Sequence, residues 1–457
     1  MNDRPKTVSR KDQFLKNPSR ALWSLAVPVM GGMSIHMIYN ITDMIFIGRV
    51  SPDALAAVAF NMPLFFFAMG LTMGIGSGIT AVIARFIGAD DKINADNTAW
   101  HGVAIGLIMS IILGGAAGLW GNTILAVIGT PDELFELAWS YLKVISMGLP
   151  FIILSGTFRS IMAGEGDMKM PMIVGGAGAA MNIFLDPLFI FGFNQGLRGA
   201  AIATVISQLL VLLTMLYIIF IRKRSYISFK LSGFKPSRLI LRNVLKIGIP
   251  ASASMLIMSF GGTVFNRILI SFSSSAVAAY QIAGRVEMLI FLPIMSIATG
   301  LVTIVGMFVG AKDIDKVKYI IKYGISRAFG ITLIGSAIIF IFSPVIIASF
   351  TPDAAIRSIA ITYLRIITFV YPLIAIGITC GRSLQGFGRG TPMLVTTAIR
   401  ILLLSAPLAS LFVFILNKNI EWVWYAMVIS VFVSVAISML WLRSEYRRVA
   451  KRLSTEY

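Results

Sequence analysis

Residues 141–150, YLKVISMGLP, are matched at residues 363–372 by YLRIITFVYP. A second pair of segments lies at nearly the same distance along the chain: FRSIMAGEGDMKMP at 158–171 and GRSLQGFGRGTP at 381–392. Further matches keep an offset between 221 and 223 residues. Chance similarity between apolar helices would not hold one offset in this way. The sequence therefore predicts a chain built from two related halves.

The composition places both halves in a membrane. Of the 457 residues, 57% are hydrophobic and 13% are charged, whereas soluble proteins carry about 25% charged residues. Runs of about 17–25 apolar residues, the length that crosses a bilayer as a helix, recur along the sequence. The twelve predicted spans are 20–48, 54–82, 97–119, 134–156, 170–192, 197–221, 241–270, 276–305, 318–342, 357–380, 392–415 and 421–442. We predict an all-α integral membrane protein.

Twelve spans in two halves give two six-helix lobes. Because six is even, both lobes begin on the same side of the membrane, as parallel repeats about a pseudo-two-fold axis along the membrane normal. Such a duplication favours a transporter whose substrate path lies between the lobes. The predicted organisation is an N-terminal tail (1–19), an N-lobe (20–221), a basic linker (222–240), a C-lobe (241–442) and a C-terminal tail (443–457).

The net charge of +19 is unevenly distributed. Most of the 39 Lys and Arg residues lie in the tails and in one set of connections, and the opposite set holds Arg49, Arg198 and Lys418. This asymmetry predicts cytosolic termini in a multi-pass protein of the inner or plasma membrane, and it gives no reason to expect a nucleic-acid partner. The basic stretch 221–246 either contacts anionic lipid or only fixes the topology. The one cysteine, Cys380, excludes an internal disulfide.

Polar residues interrupt the first and fifth spans. His36, Asn40 and Asp43 follow one another at helical spacing, so they share one face of the first span. Asn182 and Asp186 lie one turn apart in the fifth span. A carboxylate in hydrocarbon costs about 3 kcal/mol or more on insertion scales, and ionisable residues at such depth are by default functional.

The sixth span adds Thr204 and Gln208, again one turn apart. Two carboxylates with amide and hydroxyl oxygens around them suit a monovalent cation, either a proton shared by the acids or a sodium ion held by hard oxygens. At the position equivalent to Asp43 the second half carries Phe265, so the lobes are not chemically equivalent. The residues of the predicted cation site are Asp43, Asn182, Asp186 and Thr204.

The C-lobe offers one further buried acid, Glu287. It either contacts a cationic substrate or pairs with Arg267 or Arg400 within the lobe. Methionine side chains adapt to varied ligands, but at helical spacing they also serve as packing. Three methionines of the second span are candidates for a pocket or for packing: Met62, Met69 and Met73.

Several segments together resemble the multidrug and toxic compound extrusion (MATE) family, in its DinF-like prokaryotic branch. They are YNITDMIFIG (39–48), GEGDMKMPM (164–172), NIFLDPLFIFG (182–192) and GLRGAAIATVISQ (196–208). The resemblance implies a V-shaped molecule with a central cleft and a first helix that bends at Pro28. It also implies an antiporter that exports cationic or lipophilic organic compounds in exchange for inward H⁺ or Na⁺ by alternating access, with no other cofactor. We expect a monomer in contact with membrane lipids.

A flippase and a protease each match part of this pattern. A lipid or lipid-linked oligosaccharide flippase shares the two-lobe design, but it should carry several arginines in the central cavity. An intramembrane protease is suggested by GEGD at 164–167, yet such an enzyme needs a second Asp in a Tyr-Asp pair, which the sequence lacks. We interpret that motif as a turn and do not expect an enzyme.

Overall fold

The computed structural model describes residues 10–230 and 233–455, and throughout that part of the chain the regular secondary structure is helical. The α-helices, in chain order, are α1 (Lys11–Lys16), α2 (Pro18–Val50), α3 (Pro52–Gly88), α4 (Lys92–Ile128), α5 (Asp132–Gly164), α6 (Lys169–Pro187), α7 (Gly196–Leu216), α8 (Arg238–Ile270), α9 (Ser274–Gly310), α10 (Ile314–Ala348), α11 (Ala354–Ile367), α12 (Tyr371–Gly386), α13 (Thr391–Ala398), α14 (Ala406–Ser410) and α15 (Glu421–Thr455). Segments of π-helix continue α6, α7, α13 and α14, at Leu188–Gly192, Tyr217–Ile221, Ile399–Ser405 and Leu411–Ile415. The all-α prediction is confirmed.

Eleven helices in the described part of the chain are long and apolar enough to cross a membrane, and α11 with α12 forms a bent twelfth span. The two pieces of this span meet at 57° across a short turn. Pro372 lies in the first turn of α12, where a missing N–H costs no helical hydrogen bond. Its counterpart Pro150 lies inside the continuous helix α5. The twelve-span fold is confirmed, but the tenth span is broken where its repeat partner is not.

Equivalent side chains begin the equivalent helices of the two halves. Ser51 accepts a hydrogen bond from the backbone N–H of Ala54 at 3.0 Å, and Ser273, 222 residues later, accepts one from Ala276 at 3.1 Å. Asp91 and Asp313 cap α4 and α10 in the same way. A side-chain oxygen at this position satisfies an N–H that the helix cannot. The duplication therefore extends to the local signals that start helices.

The chain forms two compact units, one of Met1–Asp12 and Val27–Val244 and one of Gln13–Ala26 and Leu245–Tyr457. The linker lies in the first unit and the first turns of α2 lie in the second, a division that differs from the predicted lobe boundaries. In the second unit Trp23 Nε1 donates to Tyr323 Oη at 3.0 Å. Helix α2 therefore passes from one unit to the other between residues 26 and 27, beside Pro28.

The basic linker is anchored to the first unit by hydrogen bonds. In the turn after α5, the buried Glu165 accepts hydrogen bonds from the hydroxyl of Ser225 and from the backbone N–H groups of Tyr226 (3.0 Å) and Ile227 (3.3 Å). Burial raises the pKa of Glu165 to about 7. Farther along, the linker backbone bonds to three side chains of α4: Asp96, Asn97 and His101.

Helices α6 and α7 approach each other closely because small residues lie between them. A Cβ on Gly199 of α7 would lie 2.6 Å from the backbone oxygen of Phe189, and one on Gly178 of α6 would lie 2.2 Å from the side chain of Val211. Small residues permit close approach of membrane helices, and at these two positions glycine avoids the overlap because it has no Cβ. This close packing brings the polar residues of the two helices together.

The predicted tails are partly helical. Helix α1 lies within the predicted N-terminal tail, and α15 continues to Thr455, through most of the predicted C-terminal tail. Asp167 of the GEGD motif accepts hydrogen bonds from the backbone N–H groups of Lys169 and Met170 and pairs with Arg10 at 2.8 Å. The motif thus forms a stabilised turn between α5 and α6.

Candidate functional site

Asn182 and Asp186 lie in the last turns of α6, immediately before a change in helical geometry. Pro187 follows Asp186 and has no N–H to continue the ladder, and the next residues, Leu188–Gly192, form a π-helix. Wide turns of this kind are frequent at functional sites. Asp186 is fully buried and Asn182 is 2% exposed. The spacing that the sequence predicts is therefore realised on the packed face of the helix.

The carboxyl group of Asp43, from α2, lies within interaction range of the carboxyl group of Asp186. The Oδ1 atom of Asp43 is buried and receives no hydrogen bond from a donor among the described residues. Two carboxylates cannot donate to each other, so a bond between them requires a proton on one of them. The proton then belongs to the pair rather than to either residue.

Asn182 connects the acids to α7. With its amide oriented so that both ends are satisfied, it donates to Asp186 Oδ2 at 2.8 Å and accepts from the backbone N–H of Thr204 at 3.1 Å. In the opposite orientation its NH₂ group faces Thr204 Oγ1 at 3.4 Å. The amide can thus donate to an ionised Asp186 or, when rotated, accept from a protonated one. The four residues of the predicted cation site do come together.

Two tyrosines that sequence reasoning missed belong to the same site. The Tyr39 hydroxyl interacts with Thr204 and lies near both acids. Tyr141 of α5 lies within electrostatic range of Asp43 and Asp186. Tyr39 precedes Asp43 by four residues, so helical spacing could have found it. Nothing in the local sequence distinguishes Tyr141.

The other candidate residues of the N-terminal half are less buried than Asn182 and Asp186. The His36 ring lies 5.6 Å from the ring of Tyr39, and both His36 and Asn40 are exposed. Gln208, one turn beyond Thr204, is half-buried. Met62 packs against the hydrophobic cluster around Ile47 and Leu142. Of the other two methionines, Met69 is half-buried and Met73 is exposed.

Glu287 lies in the second unit within a cluster of aromatic residues. Its Oε1 atom accepts hydrogen bonds from Tyr363 Oη at 2.6 Å and Tyr371 Oη at 2.8 Å. Arg400 lies within electrostatic range, whereas no ion pair between Glu287 and Arg267 is found among the described residues. The alternative of a partner within the lobe is therefore realised chiefly by two tyrosines, which sequence reasoning did not name.

Comparison with known proteins agrees with this arrangement. The MatE family model matches residues 28–188 and 250–411, which are two copies in one chain. The chain belongs to the MATE family. The two matched segments correspond to the repeat read from the sequence, and together they cover more than half of the chain.

Curated and solved MATE proteins resemble the whole chain. A probable multidrug resistance protein NorM of Thermotoga maritima is 28% identical over 431 residues, which are 93% of this chain and 92% of the relative. The multidrug export protein MepA of Staphylococcus aureus is 31% identical over 385 residues, 82% of this chain and 84% of the relative. A crystal structure of MATE in a straight conformation superposes with a TM-score of 0.93 at 32% identity, covering 98% of this chain and 100% of that one.

These likenesses establish the general activity. The chain is a multi-pass membrane protein and a multidrug efflux transporter of the MATE family, and it is not an enzyme. The expectation of a MATE transporter is confirmed. The DinF-like branch, the coupling ion and the charge of the exported compounds stay predictions.

Proposed function

We propose that the protein is an antiporter that exports cationic or lipophilic organic compounds in exchange for inward protons, bound by Asp43 and Asp186. One observation carries the proposal: two carboxyl groups from different helices, Asp43 and the buried Asp186, lie within interaction range of each other. A proton shared between two such groups forms a hydrogen bond, so the pair can hold one proton and release it. Loss or gain of the proton changes the net charge of the site by one unit.

The donor set fits a proton more directly than a sodium ion. Sodium would use hard oxygens, here the two carboxylates, the Asn182 amide and the Thr204 hydroxyl. In the orientation that satisfies both of its ends, Asn182 directs its NH₂ group at Asp186 and its oxygen at the Thr204 N–H. A sodium ion would require this amide to rotate, whereas a proton fits the existing bonds. We therefore propose H⁺ as the coupling ion, with Na⁺ as the alternative.

Helix α2 links the acid pair to a conformational change. Pro28 lacks an N–H and cannot bond to the carbonyl of Ser24, so α2 has a weak point there. Asp43 lies on the same helix, four turns farther along. A shared proton joins Asp43 of α2 to Asp186 of α6, whereas two ionised carboxylates repel each other, so a change in protonation changes how this part of α2 is held against α6. We propose that α2 bends at Pro28 in response, and that export follows by alternating access in the cell membrane with both termini cytosolic.

The stoichiometry decides which gradient drives export. One proton moving inward through 100 mV releases about 2.3 kcal/mol. Exchange of one proton for one monovalent cation moves no net charge, so it uses the pH gradient alone. Exchange of two protons for one such cation would also use the voltage, and the two carboxylates provide two acceptors.

The proposal is tested in proteoliposomes loaded with a fluorescent organic cation, under a pH gradient or a sodium gradient imposed separately. We expect dye export to follow the pH gradient and to be lost in Asp43→Asn and Asp186→Asn. The matched control is Glu133→Gln, which neutralises an exposed carboxylate in the first turn of α5 and should leave export unchanged.

Each outcome separates one alternative. Export driven by sodium alone would overturn proton coupling while keeping the site, provided that both Asn variants lose it. Export that ignores both gradients, or that persists in both variants, would refute coupling by the acid pair. In that case the lipid flippase should be tested next, with a labelled lipid in place of the dye.

A further inference from the structure

Arg382 is an unusual residue for the interior of a membrane protein. It lies in α12 and is 7% exposed. Its Nη1 atom donates to Gln385 Oε1 at 3.2 Å, and its Nε atom is buried without any hydrogen-bond partner. No carboxylate among the residues that the structure describes pairs with it. The second unit thus buries a positive charge against one neutral amide.

Such an arrangement is costly without a further partner. A buried ion needs a counter-charge or a full set of hydrogen bonds. A buried N–H without an acceptor loses its hydrogen bonds to water and gains no hydrogen bond in return. Gln385 offers Arg382 one acceptor, the Oε1 atom, because its NH₂ group is only a donor and points to the Sδ atom of Met393 at 3.0 Å. The Nε atom of Arg382 therefore lacks an acceptor among the described residues.

The free edge of the guanidinium group indicates the chemistry of that partner. Nη1 is used by Gln385, whereas the edge formed by Nε and Nη2 makes no hydrogen bond to the described residues. Two parallel N–H groups on one edge match two oxygens of a phosphate or carboxylate. An oxyanion at this edge would satisfy the buried Nε atom and neutralise the charge together.

The repeat shows that the arginine is retained while other charges are not. Arg159 stands at the equivalent position in α5, and each arginine is followed by serine. The acid of the first half, Asp43, is by contrast replaced by Phe265 in the second. The side chain of Arg159 is exposed at the surface of the protein, whereas that of Arg382 is buried and is not paired with a carboxylate among the described residues.

An acid that contacts the turn after α12, Glu445, is already paired with another arginine. Arg389, in the turn that follows the helix, pairs with Glu445 of α15 at 2.9 Å. Arg382 itself lies four residues before Gly386, where α12 ends, which corresponds to about 6 Å along a helix axis. Lipid headgroups occupy the layer just outside the hydrocarbon core, so a lipid phosphate would lie at a comparable depth.

We propose that Arg382, with Gln385 beside it, binds the phosphate group of an anionic phospholipid. The lipid donates no bond and undergoes no reaction: its phosphate oxygens accept hydrogen bonds from Nε and Nη2. Free inorganic phosphate offers the same oxygens, so the experiment must distinguish the two sources. The site does not depend on the coupling acids, and its test does not use transport.

The test is native mass spectrometry of the purified full-length protein, titrated with phosphatidylglycerol or phosphatidylcholine. We expect a tightly retained phosphatidylglycerol molecule on the native protein, and about tenfold or greater weakening in Arg382→Gln, the loss expected when hydrogen bonds to a charged group are removed. Arg382→Lys keeps the positive charge but lacks the two parallel N–H groups of the guanidinium edge, so it should bind the lipid with intermediate affinity. Two control variants each remove one arginine charge and should retain the lipid: Arg159→Gln and Arg389→Gln.

The outcomes are distinct. Equal retention in Arg382→Gln and the native protein, or equal loss in all three Gln variants, would overturn the proposal. A thermal shift produced by inorganic phosphate in the native protein but not in Arg382→Gln, without phosphatidylglycerol retention, would overturn the lipid as the source. If Arg382→Gln elutes as an aggregate, Arg382→Lys decides, because lipid retention equal to the native protein would then refute the role of the free edge.

Discussion

Removing the hydroxyl groups around Glu287 should reveal how much of the stability of the second half depends on one buried carboxylate. Tyr363 and Tyr371 donate to the same oxygen at 2.6 and 2.8 Å. A hydrogen bond to a charged group contributes about 1.5–3 kcal/mol. We expect Tyr363→Phe or Tyr371→Phe alone to cost about that amount, because the remaining tyrosine still donates.

The double variant should lose more than the sum of the two single losses. With both hydroxyls absent, the buried Oε1 atom of Glu287 has lost both tyrosine donors, and leaving a buried acceptor unsatisfied costs about 1–3 kcal/mol beyond the two lost hydrogen bonds. Residues that share one partner are expected to couple in this way. In a Glu287→Gln background each tyrosine should matter less, about 0.5–1.5 kcal/mol, since the acceptor is then neutral.

The assay is thermal unfolding of the purified protein in detergent, for the two single variants, the double variant and the Gln background. Each 1 kcal/mol corresponds to a shift of about 2–4 °C for a unit of this size, so each single variant should lower the midpoint by about 3–12 °C. Tyr425→Phe, at an exposed position of α15, is the control and should change it by about 1 °C or less. Additive losses, or single losses as small as the control, would refute the coupling through one oxygen.

Three further predictions concern the first half. Burial raises the pKa of Glu165 from about 4.5 to about 7, so the folded chain holds an extra proton between these pH values. The unfolding temperature should therefore fall as the pH rises from about 4 to about 7. Glu165→Gln should remove this pH dependence, and an unchanged pH dependence would contradict the assignment. Gly199→Ala should lower the free energy of unfolding by about 1–3 kcal/mol, because the new Cβ would lie 2.6 Å from the backbone oxygen of Phe189. Gly175→Ala is the control: its Cβ would have no atom within 4 Å, so the substitution should be neutral or stabilising in the same unfolding assay. Pro28→Ala should raise the unfolding temperature by restoring a helical hydrogen bond and slow dye export, and faster export would argue against a hinge.

The fold could be predicted from sequence because its two strongest signals are independent of tertiary contacts. The apolar length of each span follows from bilayer thickness, and the offset near 222 residues follows from duplication. The break between α11 and α12 could not be predicted in the same way. It lies within one apolar run, and its Pro372 matches Pro150, which sits inside an unbroken helix. The proline alone therefore does not decide whether the span bends.

The candidate site was predictable where it depends on one helix and unpredictable where it depends on several. Asn182 and Asp186 lie four residues apart, so their side chains share one face of the helix that contains both. That Asp43 reaches Asp186 depends on how α2 packs against α6, which no local pattern encodes. Tyr141 joins the site from α5 for the same reason. In the second half, the tyrosine partners of Glu287 come from α11 and α12, so a search for opposite charges overlooked them.

The carboxylates of the two halves differ in whether the protein supplies hydrogen-bond donors to them. This difference favours the first half as the site of the proposed ion coupling. In the second half both tyrosines donate to one oxygen of Glu287, and Arg400 lies within electrostatic range, so groups of the protein itself stabilise this carboxylate. In the first half Oδ1 of Asp43 is buried with no donor at all. An acceptor that the fold leaves unsatisfied gains free energy when a proton or metal ion arrives, whereas a saturated one gains little. Phe265 stands in the second half where the first half has Asp43, so the ion coupling that we propose depends on the acids of the first half.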